Sequence, residues 1–97
     1  MKLKVPKTVK ILSIPHEVVW VENMIRDSDE RGSYNLTKLE IELDPSLSDP
    51  LQTFIHEYVE GVNTLLELKL KHNIIESLST AFAGFLYENL PQIIDGK

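Results

Sequence analysis

With 97 residues, 42% of them hydrophobic and 26% charged, the chain has material for one domain with a single modest core. A formal net charge of −5 at pH 7 argues against nucleic acid as a partner, and the absence of cysteine excludes disulfides, thiolate metal ligands and cysteine nucleophiles. No run of eighteen apolar residues marks a membrane span, and the basic start, Met1-Lys2-Leu3-Lys4, lacks the apolar stretch of a signal peptide. A cytoplasmic protein that engages no membrane is expected.

Residues 1–8 read as an N-terminal tail and residues 9–43 as a sheet. Val9 to Glu22 is extended, ending in the β-branched and aromatic run Val18-Val19-Trp20-Val21. Pro15 removes a ladder donor, so a bend or an edge position is expected there, giving one long bent strand or two short ones. Asn23 to Gly32 is polar and reads as an exposed loop. Gly32 to Leu43 reads as a hairpin turning at Asn35-Leu36-Thr37-Lys38, and Leu39, Ile41 and Leu43 alternate with Glu40 and Glu42 as in a half-solvated strand. This strand is expected to be the best defined in the fold.

Two helices follow, over 49–68 and 73–90. Asp49 as N-cap, Pro50 at the first helical position and Gln52 at the third open the first helix. Its apolar residues recur at helical spacing from Leu51 to Leu66, while His56, Glu60, Asn63 and Glu67 form a separate stripe. Asn73 and Glu76 offer a cap and capping box for the second helix, which should end near Asn89 because Pro91 cannot continue it. On that helix His72, Glu76, Ser79 and Ala83 make a small or polar stripe that could face the stripe on the first. Trp20 and the aromatics of the second helix are expected in the core, and His16 is expected to be structural. The class is α+β: a small antiparallel sheet of about three strands, including a hairpin, packed on two C-terminal helices.

Within the first helix, His56-Glu57-Tyr58-Val59-Glu60 departs from the zinc-hydrolase pattern H-E-x-x-H only at its last position. Residues at i and i+4 point the same way, about 5–6 Å apart at Cβ, so His56 and Glu60 can reach one cation. In that pattern the Glu after the first His is the general base, here Glu57. The third ligand has two candidates. With Glu76, two carboxylates would neutralise a divalent ion and blunt its power to acidify water. With His72, the set is two imidazoles and one carboxylate, which suits hydrolytic zinc. His72 is therefore expected, with Glu76 orienting a ligand by hydrogen bonding or serving as the alternative ligand. In a simple antiparallel hairpin, however, His72 would lie beside the far end of the first helix, and Glu60 is about 10 Å back along the axis from Glu67. The second helix would have to start with a steep crossing to reach.

The order of elements and several short segments carry a resemblance. Ile11-Leu12-Ser13-Ile14-Pro15, Gly32-Ser33-Tyr34, Leu39-Glu40-Ile41, Phe54-Ile55-His56-Glu57, and His72-Asn73-Ile74-Ile75 leading to Leu86-Tyr87 together span most of residues 9 to 90. In these segments the chain resembles small phage- and prophage-encoded proteins similar to the minimal zinc metallopeptidases of ImmA/IrrE type. The resemblance implies a minimal zincin-like fold, a single zinc ion, and His56, Glu57 and Glu60 at the motif positions. Commoner members carry His where this chain has Glu60, and a downstream Glu as third ligand. The Glu60 and His72 pair looks like an exchange of ligand types that keeps the set.

Three functions compete. The first is a zinc-dependent peptidase-like hydrolase, in which metal-bound water attacks the carbonyl of a peptide laid along a sheet edge. The second is a non-catalytic binding or regulatory module on a degenerate zincin fold, with a protein partner at the same edge. The third is a structural domain whose 56–60 stripe is only a solvated face. A homodimer paired through a sheet edge is also possible on this pattern.

Overall fold

The computed structural model describes residues 3–95. Its elements run β1 (Thr8–Ile11), β2 (Ile14–Trp20), α1 (Met24–Ser28), β3 (Gly32–Asn35), β4 (Glu40–Leu43), α2 (Pro50–Leu65) and α3 (His72–Asp95). The class is α+β, with two long C-terminal helices. The sheet has four strands rather than three, in the order β1-β2-β4-β3, and it is mixed: β1–β2 and β3–β4 are antiparallel hairpins, joined by a parallel β2–β4 pair.

The extended N-terminal stretch is two strands. The break falls at Leu12 and Ser13, not at Pro15. Both turn residues are left-handed, with φ of 52° and 69°, so a two-residue loop joins Ile11 to its partner Ile14 with the twist that hairpins prefer. Pro15 lies inside β2 opposite Lys10, and the parallel pairing with β4 covers only Glu17 to Trp20. Counting outward from the turn, Lys10 and Pro15 form a pair that exchanges no hydrogen bonds, so the missing N–H falls on the side β4 does not reach. Of the segment expected as a tail, residues 1 and 2 lie outside the described residues and the remainder is tied down. Leu3 and Val5 pack against the core, and Val18 N–H donates to the Lys7 carbonyl at 2.9 Å.

The polar stretch after β2, expected as a loop, contains the short helix α1. Its anchor comes from far along the chain: Asp44, buried at the end of β4, accepts from Ile25 N–H at 3.0 Å. Asp44 also accepts from the backbone N–H and hydroxyl of Ser46, and these bonds, that of Ile25 foremost, hold its carboxyl below the usual range. The β3–β4 hairpin turns where expected, with the Asn35 side chain accepting from Lys38 N–H at 3.0 Å. β4 lies between β2 and β3, and Ile41 and Leu43 are fully buried.

One face of the sheet carries Ile11, Val18, Ile41 and Leu43, which pack with Leu51, Phe54 and Ile55 of α2 and Ala83 of α3. Two glycines set the spacing between layers. A Cβ on Gly61 would lie 2.8 Å from Ile11 Cδ1 and 2.9 Å from Tyr34 Cε1; one on Gly32 would lie 2.8 Å from the Glu42 carbonyl oxygen and 3.0 Å from Thr53 Cγ2. Both are points where α2 and the sheet approach too closely for a side chain.

On α3 the stripe of small residues turns inward: Ser79 and Ala83 are buried, with Ile75. The aromatics expected in the core are not there. Phe82, Phe85 and Tyr87 are 39, 48 and 51% exposed, because Ser79 and Ala83 occupy the close contact and rotate the larger side chains to its flanks. Trp20, at the last position of β2, is 48% exposed. α3 also passes Pro91 to reach Asp95 instead of ending near Asn89. The proline leaves the Tyr87 carbonyl without its helical donor, and at so exposed a residue water can replace it. No helix among the described residues is long and apolar enough to cross a membrane.

Gly61→Ala and Gly84→Ala should therefore move stability in opposite directions. Both gain up to about 1 kcal/mol of helix propensity. A Cβ on Gly84 meets only Glu88 Oε1 at 3.7 Å, so that variant should melt higher. At Gly61 the collision with Ile11 and the Tyr34 ring costs about 1–3 kcal/mol and should lower the melting temperature. Equal shifts in thermal denaturation would refute the close packing of α2 on the sheet.

Candidate metal centre

α2 starts as its sequence directs, with Asp49 accepting from Gln52 N–H at 3.4 Å and Pro50 in the first turn. This phases His56, Glu60 and Asn63 onto one stripe. The step to α3 depends on Asn63. After Leu65 the chain turns back on itself, with Glu67 and Lys69 both left-handed at φ 51° and 57°. Asn63 holds this return twice: its carbonyl accepts from Leu68 N–H at 3.0 Å and its Oδ1 from Leu70 N–H at 2.9 Å. Residues 66–71 thus run back beside the end of α2, and α3 begins level with Glu60 rather than with Glu67. The helix starts at His72, so Asn73 lies inside it rather than capping it. Ile74 and Ile75 N–H both donate to the Lys71 carbonyl.

The result joins the two helices at His56, Glu60 and His72. One ligand atom from each lies within 4.8 Å of the other two, a grouping that could hold a metal ion. The imidazoles are edge to face, with centroids 5.6 Å apart. Tetrahedral zinc with bonds of about 2.0–2.1 Å needs donors about 3.4 Å apart, so the three must close by on the order of 1 Å. The His72 side chain is 76% exposed and free to make that move, whereas His56 is 17% exposed and already placed. Glu76 is not left to a capping box. Its Oε1 lies 3.3 Å from His56 Nδ1 and 3.4 Å from His72 Nε2, against both rings at once.

Glu57 points away from this stripe, toward the sheet. It is buried, and its carboxyl holds its proton up to about pH 8, first because burial disfavours the charge and then because Glu60, Glu30 and Glu76 repel it. It lies in the floor of a cleft between α2, the start of α3 and edge strand β3. One lobe, of about 230 Å³, reaches Arg31 and Gln52; the other, of about 320 Å³, is bounded by Ser33, Tyr34, Glu60 and His72. With Glu30, Glu60 and Glu76 against Arg31, the cleft favours a cation.

Tyr34, marked in the sequence only by the segment Gly32-Ser33-Tyr34 and given no role there, walls this cleft from β3. His16, 2% exposed, holds its hydroxyl: Nδ1–H donates to the Ile14 carbonyl at 2.8 Å, which leaves Nε2 to accept from Tyr34 at 2.7 Å. Burial pushes the Tyr34 hydroxyl's pKa up. Comparison with protein-family models, characterised proteins and solved structures gave no match.

The burial of Glu57 predicts a pH dependence of folding. The unfolded carboxyl loses its proton near 4.5 and the folded one near 8, so folding takes up a proton between those values. The stabilising difference is full below about 4.5 and is lost as pH rises through about 8, on the order of several kcal/mol across the window. In metal-free protein, Glu57→Gln should melt close to the parent at the acid end and clearly above it at the alkaline end. Parallel melting curves at both ends would mean that Glu57 ionises freely.

Proposed function

We propose that the chain is a zinc-dependent metallopeptidase-like protein, with one ion held by His56, Glu60 and His72 and with Glu57 as general base. The observation that carries this reading is the convergence of the three donors within 4.8 Å, beside a buried carboxyl in a cleft bounded by a sheet edge. A zinc ion in that seat supplies Lewis acidity, polarising a peptide carbonyl and lowering the pKa of a water molecule. Two imidazoles and one carboxylate leave the ion a net positive charge, which Glu76 in place of His72 would cancel. A cation held there would lower the proton affinity of Glu57 from its metal-free value, as a base that takes and returns a proton requires. With the metal bound, Glu57 would serve as the general base, taking the proton of the attacking water and returning it to the departing amine. Glu76, against both imidazoles, orients them. β3 is an outer strand, and an extended peptide added to it would lie across the cleft. Kinship with the phage- and prophage-encoded proteins rests on the order of motifs.

A second reading keeps the cleft and drops the turnover: a regulatory module that recognises a partner protein by the same edge. The observation favouring it is that Glu57 is a neutral acid in the metal-free chain at pH 7.

Zinc titration of untagged protein should give one ion per chain. His56→Ala should abolish the binding. His72→Ala should cost more affinity than Glu76→Ala, whose loss should fall in the range of about 10–100-fold for a residue that only orients ligands. Substoichiometric zinc unchanged by His56→Ala would remove the metal centre. Peptide cleavage by the zinc-loaded parent that is lost in Glu57→Gln supports the hydrolase. Zinc binding without cleavage of any peptide supports the regulatory module.

A further inference from the structure

α3 is apolar over twice the arc it buries. At about 100° per residue, Ile75, Ser79, Ala83 and Leu86 occupy one sector, and Ile74, Leu78, Phe82 and Phe85 fill the adjoining sector of similar width. The first sector packs on α2. The second is left open: Ile74 is 42%, Leu78 48%, Phe82 39% and Phe85 48% exposed. Phe82 touches the body only along its inner side, with its ring centroid 6.2 Å from that of Tyr58. Ala81, also exposed, lies on the outer line of the same sector, midway along it. A helix with one partner needs one apolar stripe, and this helix has a second.

We propose that this second stripe is a homodimer interface, with α3 of one copy packed against α3 of another about a two-fold axis near Ala81 and Phe82. Three observations select a second copy as the occupant. The first is area. The exposed parts of the four large side chains amount to roughly 370 Å² per copy, which supplies most of the apolar share of a standard interface of about 800 Å² per partner. The second is charge. Between Glu76 and Glu88 the helix has no charged residue. A two-fold axis there brings no like charges together at its centre, and the stripe offers nothing for a charged partner to complement. The third is the absence of cations. From His72 to Ile94 there is no lysine or arginine, so the stripe lacks the basic flank with which amphipathic helices seat on anionic membranes. The stripe is self-complementary, since apolar ridges of this kind pack into the grooves of an identical helix, and the small side chain of Ala81 lets the two backbones approach at the centre. His72 and Glu76 lie on the opposite flank of α3, so the dimer leaves the cleft open. The inference does not depend on metal binding.

Sedimentation equilibrium of the full chain, from low micromolar to several hundred micromolar, tests this. A monomer–dimer equilibrium is expected. Leu78→Glu and Phe85→Glu should each weaken it at least about tenfold, and Leu12→Glu at the β1–β2 turn should leave it unchanged. Circular dichroism verifies that the variants fold. Because the chain has no cysteine, a single Ala81→Cys variant gives an independent readout: oxidation should link two copies, whereas Ser33→Cys, beside the cleft, should not. A monomer at every concentration overturns the proposal. So does a dimer that ignores both glutamate substitutions, or that is lost on Leu12→Glu.

Discussion

The position of α3 depends on Asn63. With one side-chain oxygen and one backbone carbonyl it gathers the return segment after α2 and fixes where the next helix starts. Without that anchor, a chain leaving α2 would place His72 near Glu67, well short of Glu60. The left-handed residues Glu67 and Lys69 carry a conformational cost of roughly 1–2 kcal/mol each. The bonds to Asn63 and the burial of Ile75 and Ala83 just beyond help to offset it. One polar side chain on the His56 stripe thus determines that the stripe has a partner.

The rest of the cleft follows from how closely α2 lies on the sheet. Gly61 and Gly32 remove the two Cβ atoms that would hold the layers apart. That approach buries Glu57 beneath β3 and brings Tyr34 to the wall of the cleft, with His16 behind it. The carboxyl is costly to ionise here for the same reason that it is well placed: water has been pushed out from one side while Glu30, Glu60 and Glu76 stand on the other.

The parts of the fold governed by neighbours in sequence were legible. The Asp49-Pro50 start of α2, the β3–β4 hairpin and the alternation through Ile41 and Leu43 are local patterns, and the structure has them. The misreadings share a different origin. α1 forms because Asp44, nineteen positions beyond Ile25, binds its first turn, and no local signal announces that. The β1–β2 turn uses Leu12 and Ser13, neither of which advertises a left-handed conformation. Large aromatics on α3 were placed inside by their hydrophobicity, whereas small residues govern close helix contact, so Ser79 and Ala83 went in. The site divides the same way. His56 and Glu60 could be paired by helical period alone. Bringing His72 to them required two left-handed residues of no distinctive type, and Glu76, expected beside the ligands as well as in a capping box, stands against both imidazoles.

Pro15 has a consequence for how the molecule meets its own kind in a crowded solution. β2 extends beyond the stretch that β4 covers, leaving a notch in the sheet at Ile14 to His16 where a stray strand could add. A proline in that notch withholds the N–H that such a strand would need, and a residue with no donor there makes templated growth of the sheet unfavourable. A residue that looked like a break in a strand is better understood as a guard against aggregation.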